Sequence, residues 1–193
     1  MGRSLVWQES PDKPWERSRL WCHEESFKVL KRKKGTENVL GLTLDMRMLE
    51  KGSLGESFEL KTNALSKMDN LMLLQLNYVH INGSYENFPE ELRWLCMHGF
   101  PLKSIPSELS MYNVAVLDMS HSNIESFDIC YSNRQRPEKR QKVLTGSCLK
   151  DKRLLVSLKI LNLSFCEQLR SLDGFDGLPA LERSRDISNP DVL

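Results

Sequence analysis

The sequence predicts an α/β fold, a short solenoid with a parallel ladder of strands, preceded by a small and mostly helical segment. Two observations predict it. One apolar template, Leu-x-x-Leu-x-Leu, recurs along residues 71–169 at a nearly constant interval, whereas residues 1–34 lack the template and carry a proline-containing turn followed by a helical pattern. Units that each supply one strand stack on their neighbours, so the recurrence predicts a linear array.

The template occurs in four good copies. They begin at Leu71, Leu92, Val114 and Leu158, which are 21, 22 and 44 residues apart, so the last interval equals two periods of 22. A period of roughly 20 to 29 residues with this template is the signature of leucine-rich repeats, each of which contributes one short strand. The alternative is a set of ordinary amphipathic core segments, which would not need matching intervals.

Each copy also has a turn slot, eight residues after its first apolar residue. The slot holds Val79, Phe100, Ser122 and Cys166 in the four copies. In leucine-rich repeats it usually holds Asn or Cys, whose side chain satisfies backbone groups where the chain leaves the strand. Cys166 fits this structural role, and we expect irregular, longer turns in the other three copies.

Strand geometry separates the buried face of the array from its binding face. The last two apolar residues of each template are two apart and point to one side of a strand. We therefore expect Leu74, Leu95, Leu117 and Leu161 to form one buried row. The residues between them face the concave side, and the candidates there for binding a protein are Gln75, Asn77, Trp94, Cys96, His98, Asp118, Ser120, Asn162 and Ser164, beside the apolar Leu73, Val116 and Ile160.

Trp94 and His98 lead these candidates, because aromatic anchors, tryptophan above all, tend to dominate interface energies. The alternative is that Trp94 packs against a neighbouring module of a larger protein.

The segment before the repeats has two parts. In residues 1–34, Ser10–Pro14 is a turn, and a short helix follows with Leu20, Phe27 and Leu30 as apolar contacts and Gly35 as its stop signal. In residues 35–70, the alternation of Leu40, Leu42 and Leu44 predicts a strand that starts the ladder. A helix beside the first repeat is expected from the spacing of Phe58, Leu60, Ala64, Leu65 and Met68.

The repeats, residues 71–193, contain one interruption. The copy expected near residue 136 would place Arg136, Lys139 and Gln141 in the core, so we predict an exposed, mobile insertion at about 132–153. A copy beginning at Leu181 would turn Ser184 and Asp186 inward, and burying unpaired polar groups is costly. We therefore expect the array to stop there, which suggests a chain truncated relative to something longer.

Bulk properties exclude several classes of protein. The net charge of +1 gives no global field for nucleic acid, and no stretch approaches the roughly 18 apolar residues that a membrane span requires. Five cysteines without paired spacing argue for a reducing compartment. We expect a soluble, intracellular protein with no membrane partner and no nucleic-acid partner.

The sequence contains no recognisable motif of a metal site or a catalytic site. Cys22–His23 and the other cysteines lack the spacing of a zinc site, and the four histidines form no nucleophile and base arrangement, so we predict no catalytic, metal or cofactor site and no enzyme activity. The basic runs Lys31–Lys34 and Arg134–Lys142 are interpreted as solvated segments, with nuclear import or nucleic-acid binding as the alternative.

Several stretches resemble a known family in order along the chain. Residues 1–3, 8–11 and 16–21 resemble the end of the nucleotide-binding module in plant intracellular immune receptors of the TIR, nucleotide-binding and leucine-rich-repeat type. Gly35–Asp45 resembles that family's linker into its repeats, Leu92–Leu95 with Pro101–Pro106 an early repeat, and Leu161–Cys166 a later one.

The resemblance implies a plant disease-resistance role. Residues 1–34 would be the remnant of a winged helix that ends the nucleotide-binding module, 35–70 the linker, and 71–193 the repeats. The repeats would contact a pathogen effector or a guarded host protein and restrain the receptor's own nucleotide-binding module, in the cytoplasm and, if the basic runs direct import, in the nucleus. The residues hold no Gly-x-x-x-x-Gly-Lys-Ser/Thr loop, so the parent family's ADP binding and its TIR activity are not carried over. The alternative is a truncated product without independent activity, or a decoy binder.

Overall fold

The fold is built from short strands, and each ladder strand pairs with the strand of the next repeat. The structure is a computed structural model, and it describes residues 2–49, 59–128, 155–173 and 183–185. The two α-helices are α1, Gly2–Glu9, and α2, His23–Lys31. The strands are β1 Arg19–Leu20, β2 Gly41–Asp45, β3 Glu59–Lys61, β4 Leu73–Asn77, β5 His80–Asn82, β6 Trp94–Cys96, β7 Val116–Asp118, β8 Ser126–Asp128, β9 Ile160–Asn162, β10 Ser171–Asp173 and β11 Arg183–Arg185.

The main sheet confirms the predicted α/β architecture with a parallel ladder. It has seven strands in the order β1-β2-β4-β6-β7-β9-β11, and neighbouring strands are parallel throughout. Two smaller parallel pairs, β3 with β5 and β8 with β10, lie after the main strands of their repeats in the chain. Parallel strands need a crossover between them, and here each repeat supplies its own crossover.

One row of leucines crosses the sheet in register. Leu42, Leu74, Leu95, Leu117 and Leu161 are successive Cα partners on β2, β4, β6, β7 and β9. All five side chains are at most 5% exposed. The predicted buried row is confirmed, and it begins two strands earlier than the four good copies of the template, because Leu20 on β1 is the buried partner of Leu42.

The interval of 44 residues adds no strand to the sheet between β7 and β9. Val116, Leu117 and Asp118 pair directly with Ile160, Leu161 and Asn162. The insertion expected at 132–153 lies outside the described residues.

The ladder extends further than predicted at both ends. Leu20, expected in a helix, lies in β1 and pairs with Leu42 in the same sheet. The expectation that the array stops at Leu181 is wrong for the backbone, because β11 pairs with β9 and places Ser184 opposite Leu161. Strands of two or three residues are too short to show a period of their own, so the sequence pattern did not reveal them.

The helix expected over residues 58–68 is not observed. The described part forms strand β3 and a 3-10 turn, Thr62–Ala64. Leu60, Ala64, Leu65 and Met68 are nevertheless buried. A strand followed by a tight turn buries the same residues as a helix would, so apolar spacing alone could not separate the two.

The helix stop also differs from the prediction. Helix α2 ends at Lys31, and the left-handed residue that terminates it is Lys33, with φ of 52°, rather than Gly35. The N–H groups of Lys33 and Lys34 donate to the carbonyls of Leu30 and Val29. This is the pair of hydrogen bonds of a Schellman motif, with a lysine in place of the usual glycine.

A left-handed residue recurs just after the ladder strands. Tyr78, Gly99, His121 and Phe165 have φ between 54° and 67°. The N–H groups of the first three donate to His98, Ser120 and Ser164 in the next repeat, at 2.8 to 3.0 Å. The same backbone conformation therefore recurs in all four repeats at this point, which the expected irregular turns of the first three copies did not anticipate.

Candidate protein-binding surface

The side of the main sheet opposite the leucine row, here called the open face, carries three rows of side chains. The pairing of β4, β6, β7 and β9 aligns them across the strands. The apolar row is Leu73, Trp94, Val116 and Ile160. The central row is Gln75, Cys96, Asp118 and Asn162. The terminal row, two residues further along each repeat, is Asn77, His98, Ser120 and Ser164.

The apolar row is accessible to a partner. The side chain of Trp94 is 48% exposed and that of Ile160 is 42% exposed, while Leu73 and Val116 are half-buried. These are neighbours across four adjacent strands, so the row presents a continuous strip of hydrophobic surface rather than scattered residues. Contiguous exposed apolar surface of this kind is typical of interaction sites.

Asp118 is the centre of the polar part of the open face. Asn162 Nδ2 donates to Asp118 Oδ2 at 2.9 Å, and the Ser120 N–H donates to Oδ1 at 3.1 Å. His98 Nε2 lies 3.2 Å from Oδ1, within ion-pair distance but not aligned for a hydrogen bond. Burial favours the neutral acid, but these hydrogen bonds outweigh it and lower the pKa of Asp118 below its ordinary value. Asp118 is therefore a carboxylate at neutral pH.

Asn77 links the first repeats in the same way. Its Oδ1 accepts from the His98 N–H at 3.3 Å and from Cys96 Sγ at 3.5 Å, and its Nδ2 donates to Asp45 Oδ2 at 3.5 Å. Arg47 donates to both oxygens of Asp45, from Nε to Oδ1 at 3.1 Å and from Nη2 to Oδ2 at 2.8 Å. The network therefore crosses from the linker strand into the repeats.

Burial of Cys96 determines its chemical state. Desolvation, with the negative charges of Asp118 and Asp45 nearby, raises the pKa of the Cys96 thiol to about 12. Without a positive partner the side chain is a neutral thiol and an inert one.

The predicted binding residues divide into two groups by exposure. Trp94 is exposed, and five more are half-buried on the open face: Gln75, His98, Asp118, Asn162 and Ser164. Asn77, Cys96 and Ser120 are buried and take part in the hydrogen-bond network. Their role in binding stays a prediction.

Sequence reasoning missed part of the surface at its N-terminal end. A cavity of about 310 Å³ opens beside Trp94 and Leu73. It is also lined by Arg3 of α1, by Trp21, and by residues of β1 and β2 that include Arg19. Gly41 also lines this cavity, and a Cβ at this position would lie 2.7 Å from Arg19 Cδ. Asp45 and Arg47 were missed as well. Asp45 is the Cα partner of Asn77, so extending the row register to the linker strand would have found it.

None of the helices in the described residues is long and apolar enough to cross a membrane.

The ladder, its inward leucine row and its repeating turn together define a leucine-rich-repeat solenoid. Comparison with curated proteins identifies its relatives. The chain is 34% identical to the disease resistance protein RPP2A of Arabidopsis thaliana over 134 residues, 65% of this chain and 10% of that protein. It is 25% identical to the disease resistance protein RUN1 of Vitis rotundifolia over 95% of this chain and 14% of that protein. RPP2B of Arabidopsis thaliana is 24% identical over 91% of this chain and 14% of that protein.

The resemblance to plant disease-resistance receptors of the TIR, nucleotide-binding and leucine-rich-repeat type is thereby confirmed. The chain spans only 10 to 14% of the length of these relatives. No family model and no solved structure matches the chain.

Proposed function

We propose that this chain is a non-catalytic, ligand-binding part of a plant immune receptor. The curated relatives are disease resistance proteins, which supports the receptor role. The observation that carries the binding role is the apolar row, four side chains aligned across four strands with Trp94 and Ile160 exposed. The ligand is a protein, either a pathogen effector or a guarded host protein.

The open face suits a ligand with an apolar side chain next to an acidic one. Trp94 lies where the apolar row meets the cavity, and two arginines, Arg3 and Arg19, line that cavity. A carboxylate of the ligand would gain charge-assisted hydrogen bonds there while an adjacent apolar side chain covers Trp94. The network around Asp118 fixes the neighbouring side chains before binding, which lowers the ordering cost of association.

Restraint of the receptor's own nucleotide-binding module is the second part of the proposal. A ligand shifts a resting receptor towards its active state only if it binds the two states with unequal affinity. The open face would therefore contact either the resting module or the ligand, and the ligand would displace the module. Receptors of this type are typically intracellular, which supports placement in the cytoplasm.

Binding to the matching nucleotide-binding module tests the proposal. The experiment measures affinity by calorimetry between the purified chain and that module, with Trp94→Ala as the variant. We expect at least a tenfold loss, since central aromatic anchors contribute about 2 kcal/mol or more. Tyr112→Ala is the matched control, because Tyr112 is an exposed aromatic outside the strands, and its affinity should not change.

Two results would overturn the proposal. One is a folded chain that does not bind the module, which favours the alternative of a product without independent activity. The other is equal affinity for the wild-type protein and Trp94→Ala while circular dichroism shows both folded.

A further inference from the structure

Three metal-ligating side chains converge on the open face. Cys96 and Asp118 are Cα partners on neighbouring strands, and His98 follows Cys96 by two residues. One ligand atom of each, Cys96 Sγ, a nitrogen of His98 and a carboxylate oxygen of Asp118, lies within 4.8 Å of the others. In the described part of the chain this is the one group of three such residues.

The geometry points to a Zn²⁺ site formed by Cys96, His98 and Asp118, with the fourth position open. A ligand set of sulfur, nitrogen and oxygen fits zinc, which accepts all three, whereas magnesium and calcium take oxygen ligands. The side chains of His98 and Asp118 are 26% and 24% exposed, so a fourth ligand can approach from the open face.

The ligand atoms have unused capacity. His98 Nε2 is buried, and no described residue is aligned to make a hydrogen bond with it. Among the described residues, the thiol of Cys96 makes one hydrogen bond, a long one of 3.5 Å to Asn77 Oδ1. A buried nitrogen without a partner is costly, and a metal ion at this point would satisfy it. The lone pair of His98 Nε2 would then coordinate the ion, in place of the present contact of 3.2 Å between this nitrogen and Asp118 Oδ1.

The surrounding residues already orient the ligands. Asn162 Nδ2 holds Asp118 Oδ2, and the Ser120 N–H contacts Oδ1, so the carboxylate is fixed with Oδ1 still able to coordinate. Asn77 contacts both the Cys96 thiol and the His98 N–H. Such outer contacts are typical supports of metal ligands.

Loading releases one proton. Zn²⁺ forms a bond to the Cys96 sulfur, and the thiol proton passes to solvent, with no change of oxidation state. The negative charges of the Cys96 thiolate and the Asp118 carboxylate then balance the two positive charges of the ion.

Cobalt substitution tests the site. Co²⁺ is added to the full-length, reduced protein, and its absorption is recorded; a thiolate-to-cobalt charge-transfer band in the near ultraviolet is expected. Zn²⁺ should abolish the band and compete with a chromophoric chelator. Cys96→Ser should remove the band, and His98→Gln and Asp118→Asn should each weaken zinc binding at least about tenfold, since even outer-contact changes cost 10- to 100-fold.

Matched controls use the same residue types elsewhere in the described chain. Cys166→Ser and His121→Gln should leave the band and the zinc affinity unchanged. The site is refuted if the wild-type protein gives no thiolate band, a result that does not depend on how any variant folds. It is also refuted if Cys166→Ser removes the band while Cys96→Ser keeps it.

Discussion

Asn162 Nδ2 donates a hydrogen bond of 2.9 Å to Asp118 Oδ2, although 44 residues separate them in sequence. The bond joins β7 to β9, neighbours in the main sheet. The two repeats thus stack as adjacent units. Asp118 and Asn162 are in contact on the open face, and Leu117 and Leu161 are neighbours in the buried row. The repeat that contains β9 therefore continues the ladder directly from β7.

Removing this amide should destabilise the repeat stack. In Asn162→Ala the half-buried Asp118 loses a donor, and the N–H and hydroxyl of Ser164 lose the Oδ1 that they contact. We expect a loss of about 1 to 3 kcal/mol in the free energy of unfolding, measured by urea denaturation. Asn113→Ala is the control, because its hydrogen bond to Glu90 is exposed. Equal losses in both variants would contradict the role given to Asn162.

Gly99 should not tolerate a side chain. Its φ is +67°, and a Cβ there would lie 2.6 Å from Cδ1 of the Tyr78 ring. Gly99→Ala should lose about 1 to 3 kcal/mol, because the left-handed conformation and the close contact both disfavour alanine. Thermal unfolding measures the effect. Gly2→Ala, where nothing lies within 4 Å of the added carbon, should stay within about 0.5 kcal/mol of the wild-type protein. No change in Gly99→Ala would show that the turn is not built as described.

Tyr85 should make the protein sensitive to alkali. The side chain is buried against Phe88, its hydroxyl has no hydrogen-bond partner among the described residues, and burial raises its pKa to about 12. The unfolded chain ionises with the ordinary pKa of 10, so the stability from the neutral phenol is complete below pH 10 and is lost between pH 10 and about 12. The expected slope is about 1.4 kcal/mol per pH unit.

Tyr85→Phe tests the alkaline effect. The variant should lose stability less steeply than the wild-type protein between pH 10 and 12. At neutral pH it should be as stable or more stable, by up to about 1 kcal/mol, because an unpaired buried hydroxyl is removed. Tyr112→Phe serves as control, since Tyr112 is exposed. Parallel pH profiles for wild-type and Tyr85→Phe proteins would contradict the burial of this hydroxyl.

The buried part of the fold could be predicted from sequence because two periods act together. Alternation within a strand sends Leu74 and Leu76 to one side, and the repeat of about 22 residues places Leu95 and Leu117 beside them. Alternation within each strand and the repeat of about 22 residues also predicted which residues lie on the open face. The wrong helix over 58–68 shows the limit, because Leu60, Ala64 and Met68 are spaced alike for a helix and for a strand followed by a turn.

Convergence of Cys96, His98 and Asp118 could not be predicted by linear motif spacing. Metal motifs are recognised by ligands close together in sequence, whereas Asp118 is supplied by the next repeat. Cys96 and Asp118 are 22 residues apart, one full period, and this places them opposite each other. A search for ligand residues one period apart would have found the pair. The αL conformation of Tyr78, His121 and Phe165 had no such signal, because non-glycine residues rarely adopt it.

Cross-linking of β7 to β9 tests the central claim most directly. Val116 and Ile160 are Cα partners on the open face, and adjacent strands about 4.8 Å apart are within the Cα range of a disulfide. In the double variant Val116→Cys with Ile160→Cys, mild oxidation should give a linked 116–160 peptide by mass spectrometry. Val116→Cys with Lys159→Cys, one residue out of register, should not link. Linkage of the second pair, or of neither pair, would contradict the register on which the solenoid and its open face depend.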